Sequence, residues 1–104
     1  MLELELATQF KRDLKKITKQ GKSRKLLDSI IEQLQKEEPL DLKHKDHSLT
    51  GNWGGYRECH LTPDWLLIYK IIKDDRIQLL RLSRTGSHSD LFVTFRQSCD
   101  RKYF

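Results

Sequence analysis

The chain is poor in cysteine, and the two it has, Cys59 and Cys99, lie far apart and match no CxxC spacing. That argues against a disulfide-framed mini-domain and a thiolate metal site, and predicts reduced thiols. It also lacks any apolar run near the roughly 20 residues of a membrane span; the longest is "WLLIY" followed by Lys70 and "II", which is strand-sized. The opening "MLELELATQFKRD" has neither a cationic n-region nor an apolar h-region, so no signal peptide is read and a cytoplasmic location is expected. No internal repeat or low-complexity stretch is present. What is there is 104 residues, 37% hydrophobic and 34% charged, enough for one soluble domain with a single small core.

The net charge of +5 is unevenly placed. Residues 11 to 25 hold eight basic side chains, Lys11, Arg12, Lys15, Lys16, Lys19, Lys22, Arg24 and Lys25, against the single acid Asp13. The rest of the chain carries 12 basic and 14 acidic groups. A patch of +7 is the footprint of a polyanion partner such as RNA or DNA, with a solvated helix face as the plainer alternative.

Hydrophobic periodicity sets the expected elements. "LELEL" alternates with period two, a strand with one buried face. Thr8 is the expected N-cap of a first helix whose face is Phe10, Leu14 and Ile17, ended by Gly21 in a left-handed conformation. Ser23 caps a second helix with an apolar stripe of Leu26, Leu27, Ile30, Ile31 and Leu34, stopped by Pro39. Residues 40 to 55 show no periodicity and read as a long functional loop anchored by Leu49 and Trp53. Strands follow over 56–60, 65–73 and 76–83, the last two joined as a hairpin through Asp74 and Asp75. The chain then turns at Thr85-Gly86 and closes with a helical turn through Leu91 and Phe92. The order β-α-α-β-β-β with a short final element is an α+β fold, two N-terminal helices packed on a small, mostly antiparallel sheet.

Both tryptophans and two of the four histidines fall inside "KDHSLTGNWGGYRECHLTPDW", with a further histidine in "SRTGSHSDLF". If the strands are neighbours, their turns bring His47, His60, Asp64 and His88 to one rim, with Arg84 beside them. Cleaving RNA without a metal needs a base for the 2′-hydroxyl, an acid for the leaving 5′-oxygen and a fixed cation for the phosphorane. Histidine suits the first two tasks because its ordinary pKa near 6.5 keeps both forms present at neutral pH. Arginine suits the third because its charged fork matches phosphate oxygens. Trp65 or Phe92 could stack on an unpaired base. Each residue also has a plainer reading: the tryptophans as loop or core anchors, Tyr56 as core filler, Arg84 as a partner of Asp90. The three histidines and Asp64 could also ligate zinc, but spacings of 13, 4 and 24 residues match no standard pattern.

These motifs, "KDHSLTGNWGGYRECHLTPDWLLIYK" followed by "LLRLSRTGSHSDLF", resemble the YafQ-type toxins of the RelE superfamily of bacterial toxin–antitoxin systems. The match runs from about residue 2 to Phe92, which gives a toxin domain over 1–92 and a tail over 93–104 beyond the family pattern. The resemblance implies an endoribonuclease that cuts mRNA in the ribosomal A site, without a metal or other cofactor. It implies His47, His60, Asp64 and His88 as the catalytic set, Arg84 as the phosphate-stabilising group, and Trp65 and Phe92 as supporting aromatics. His88 would be the general acid, Asp64 or His47 the base, and His60 the group that orients or stabilises the phosphate. The basic helices would hold ribosomal RNA. The implied partner is a DinJ-type antitoxin that wraps the toxin and carries it to operator DNA. A toxin-fold binding module without catalysis is the competing reading.

Overall fold

The computed structural model describes residues 1–92, which leaves the expected tail of 93–104 and Cys99 outside the described residues. Five strands form one mixed sheet in the order β1-β5-β4-β3-β2. They are β1 (Glu3–Leu6), β2 (His47–Ser48), β3 (Arg57–Thr62), β4 (Trp65–Lys73) and β5 (Gln78–Gly86), with helices α1 (Thr8–Lys19), α2 (Arg24–Gln35) and α3 (His88–Phe92). The pair β1–β5 is parallel and the other pairs are antiparallel. The α+β fold expected from the sequence is present.

Side chains alternate across β4, so its two faces build two cores. Trp65, Leu67, Tyr69 and Ile71 pack with Leu80, Leu82, Cys59 and Leu61 under the apolar stripes of α1 and α2. Leu66 and Ile68 face the other way and pack with Leu49 and Leu91, flanked by Trp53 and Tyr56. The loop and α3 thus cover the face that the long helices leave open. Burying a side chain of this size contributes about 1.5–3 kcal/mol, which explains why the irregular segment is held in place.

Several local expectations change. Ala7, not Thr8, is the N-cap of α1 and has no side-chain bond to give, whereas Ser23 caps α2 by accepting from the Leu26 amide at 3.2 Å. Gly21 does end α1 with φ +76°, and the Lys22 amide donates back to the Ile17 carbonyl. Helix α2 ends before Pro39, at a left-handed Glu37 with φ 57°. Leu4 and Leu6 are exposed, because β1 is the sheet's edge and only Leu2 of "LELEL" reaches the core. The long loop contains the two-residue strand β2 and two turns of 3₁₀ helix, Leu42–His44 and Gly51–Trp53. Strand β5 runs on to Gly86, so Arg84 lies within it rather than after it. Cys59 is a buried free thiol, its pKa pushed up by desolvation, as expected of an inert core cysteine.

Candidate active site

Strand register assembles the histidines. His47 of β2 pairs with Glu58 of β3, and two residues along the same face of β3 lies His60. His60 pairs with Leu66 of β4, which pairs with Gly86 of β5, and His88 follows at the start of α3. The three rings form a chain, with centroids 6.4 Å apart for His47 and His60 and 5.8 Å apart for His60 and His88. The cluster lies on the sheet face away from α1 and α2.

Burial sets its electrostatics. Desolvation lowers the His60 pKa, and the neighbouring His88, His47 and Lys45 lower it further, against a bond to the Pro63 backbone, so this ring is neutral at pH 7. Glu58 is buried, with its Oε1 3.5 Å from Nε2 of both His47 and His60. Desolvation raises its pKa and His47 opposes the rise.

Three positions outside the expected set hold these rings. The fourth histidine, His44, is buried and donates from Nδ1 to the His60 carbonyl oxygen at 2.6 Å, fixing the backbone under the central ring. Asp46 accepts from the Tyr69 hydroxyl at 2.5 Å and from Arg57 Nε at 3.2 Å, which pins the segment carrying His47 to the sheet. Glu58 is the third. Composition gave no signal for His44 or Glu58. Asp46 stood beside His47 in the motif, where its value as an anchor for a short edge strand was readable.

The other expected residues are placed less uniformly. Asp64 is exposed in the two-residue turn between β3 and β4, next to Pro63, whose backbone bonds the His60 ring. Arg84 is in one row with Ile68 and Glu58, two strands from Glu58 and so about 10 Å away. It does not pair with Asp90. Its Nε and Nη2 donate to Asp13 of α1 at 2.8 and 3.3 Å, and Asp13 also accepts the Thr85 amide at 3.1 Å, beyond the point where β1 ends. Asp90 pairs instead with Lys16 at 2.8 Å. Trp65 corrects the expectation of a stacking platform: its ring is 2% exposed, its Nε1 donates to Thr85 Oγ1 at 2.9 Å, and Lys22 Nζ stands 5.8 Å over it. The side chain of Phe92 lies outside the described residues. Of the basic patch, Lys11, Arg12, Lys15, Lys19 and Lys25 are exposed, while Lys16 and Arg24 are ion-paired with Asp90 and Asp28.

The family described as bacterial toxin of type II toxin–antitoxin system, YafQ, matches residues 2–93. The chain belongs to the YafQ family. It is 40% identical over 91 residues to the mRNA interferase toxin YafQ of Escherichia coli K12, covering 86% of this chain and 95% of that one. Two solved structures superpose on it along most of their length. A metal-bound toxin from Helicobacter pylori does so with TM-score 0.80 and 46% identity, covering 88% of this chain and 100% of the other. The E. coli DinJ–YafQ toxin–antitoxin complex does so with TM-score 0.78 and 39% identity, covering 88% and 97%.

In this member of the YafQ family the position of α3 depends on Gly86. The residue has φ +154°, and a Cβ there would stand 3.3 Å from Asp90 Cβ and 3.3 Å from Leu91 Cδ2. Gly86→Ala is expected to destabilise the fold by about 1–3 kcal/mol and to push α3 outward. A lower melting temperature together with weakened proton contacts between the His60 and His88 rings would show it; unchanged ring contacts would refute the displacement.

Proposed function

We propose that the chain is a type II toxin that cleaves mRNA in the ribosomal A site by metal-independent general acid–base chemistry. The reading rests on one observation above the others, three imidazoles from β2, β3 and the start of α3 gathered on one sheet face. Family membership and the mRNA interferase activity of the E. coli relative support it.

In this mechanism the substrate 2′-hydroxyl loses its proton to Asp64 or His47 and attacks the adjacent phosphorus. The bond to the 5′-oxygen breaks, and His88 supplies the proton that the leaving group needs. The products are a 2′,3′-cyclic phosphate and a 5′-hydroxyl. His60, neutral at pH 7, orients the phosphate. Arg84 donates N–H bonds to it from a guanidinium held by Asp13, and because Asp13 offsets its charge, direction matters more than net charge here. Trp65 supports the turn that presents Asp64, and Phe92 is the remaining aromatic of the motif. Lys11, Arg12, Lys15, Lys16, Lys19, Lys22, Arg24 and Lys25 grip ribosomal RNA from the helical side of the molecule, and that grip weakens with salt.

The partner is a DinJ-type antitoxin, as the E. coli DinJ–YafQ complex suggests, and operator DNA is reached only through it. The toxin acts in the cytoplasm; among the described residues no helix is long and apolar enough to cross a membrane.

The test is cleavage of a defined mRNA on programmed ribosomes in a buffer that keeps their magnesium, by toxin stripped with EDTA and then dialysed free of it, beside untreated toxin. Cutting within the A-site codon at equal rate by both is the expected result. Loss of cutting by the stripped toxin, restored by added transition metal, would replace the mechanism with a metal-assisted one, and no cutting at all would leave a toxin-fold binding module.

A further inference from the structure

Glu58 has no task in the chemistry above, yet two of the imidazoles turn toward it. Its side chain is 4% exposed, Oε1 serves both Nε2 atoms at 3.5 Å, and Oε2 has no hydrogen-bond partner among the described residues. A carboxylate held this way is a poor stabiliser, since a buried charge with an unpaired oxygen costs more than an apolar side chain of similar shape.

His47 adds a constraint on protons. Its Nδ1 stands 2.7 Å from the Lys45 carbonyl oxygen, which only accepts, so Nδ1 carries the hydrogen. A neutral ring then turns the bare lone pair of Nε2 toward Oε1 of Glu58. Two acceptors facing each other need a proton between them. It resides on His47, giving an imidazolium beside a carboxylate, or on Glu58, giving a carboxylic acid beside a neutral ring. His60 has its ring bonded to the Pro63 backbone and its Nε2 3.5 Å from the same oxygen, so a single proton at Oε1 lies within reach of either ring.

We propose that Glu58 is a positioning residue for the histidine cluster: a buried carboxyl group that shares one proton with His47 and His60 and thereby fixes both the orientation and the proton count of the two rings. The surrounding groups fit this role. From β2 comes His47, and from β3 come His60 and Arg57, the latter engaged with Asp46 and Ser48. From β4 the facing residue is the apolar Ile68, and α3 contributes His88 through its contact with His60. Desolvation favours the protonated carboxyl and the neutral His60, so the site has room for one shared proton rather than two separate charges. Functionally this rests on the acid–base reading above, because a fixed proton count matters only if these rings meet a reacting phosphate.

The experiment is an NMR titration of the imidazoles in the isolated full chain, for the wild type and for Glu58→Gln, beside ribosomal cleavage measured against pH. The amide introduced by Glu58→Gln keeps the shape of the carboxyl group but not its charge, so the titration midpoint of His60 is expected to fall by about one pH unit. The cleavage profile should be displaced in the same direction. An unchanged His60 midpoint in a folded variant would overturn the proposal. If Glu58→Gln does not fold, His47→Asn supplies the reciprocal measurement: the Glu58 carboxyl carbon should then titrate at higher pH, and an unmoved carboxyl is the negative result. Absence of cleavage by the wild type would remove the catalytic reading while the His60 midpoint still decides whether the proton is shared.

Discussion

Replacing His88 with alanine is expected to slow cleavage on programmed ribosomes by about 10²- to 10⁴-fold, the usual contribution of a positioned acid in proton transfer. The 5′-oxygen is a poor leaving group unless it is protonated as the bond breaks, and no other imidazole sits at the start of α3 to take over. The fold should survive. Helix α3 is held by the fully buried Leu91, by its packing over Gly86 and by the Lys16–Asp90 pair, none of which the substitution removes. The melting temperature should therefore stay close to that of the wild type while activity is lost. A folded variant that still cuts mRNA at nearly the wild-type rate would take the acid role away from His88.

Asp13→Ala should cause a large loss of stability, about 3–5 kcal/mol. Asp13 is buried and accepts from Arg84 Nε, Arg84 Nη2 and the Thr85 amide. Its removal strands a mostly buried guanidinium and a buried N–H together, and each unmet donor carries its full desolvation cost. In a domain of this size 1 kcal/mol corresponds to about 4–8 °C in melting temperature, so the expected fall is at least about 10 °C. Asp13→Asn, which keeps an acceptor oxygen, should lose less. A melting curve within about 3 °C of the wild type for Asp13→Ala, less than 1 kcal/mol on that scale, would show that water or a rearranged Arg84 meets those donors.

Much of this architecture was readable from local chemistry. The apolar stripes of α1 and α2, the Ser23 cap and the left-handed Gly21 follow from rules that act within one or two turns. The hairpin of β4 and β5 follows from two apolar runs separated by Asp74 and Asp75. Less legible were features that depend on distant neighbours. Leu4 and Leu6 read as half of a buried face, but only the position of β1 at the sheet edge decides that they stay exposed. The pairing of Arg84 with Asp13 rather than Asp90 spans 71 residues and depends on α1 flanking the end of β5. Trp65 carried no sign of which side of β4 it would occupy.

The candidate site divides the same way. That His47, His60 and His88 gather could be suspected from three strand ends, and the register realises it. Glu58 escaped because an acid inside "YRECH" reads as the solvent-facing member of a strand, and only the approach of β2 and α3 on that face buries it. His44 escaped because an isolated histidine in an irregular segment has no periodic context. Both depend on what covers a face, which the pattern of one strand does not encode.

The parallel pairing of β1 with β5 has a temporal consequence. Glu3 to Leu6 are among the first residues synthesised, and their partners Leu79 to Leu82 are among the last of the domain, with His88 still later. The sheet cannot close, nor its imidazoles meet, until nearly the whole domain has been translated. Early synthesis therefore yields only a helical hairpin without a complete site, and the histidine cluster exists only once the domain is nearly finished and folded.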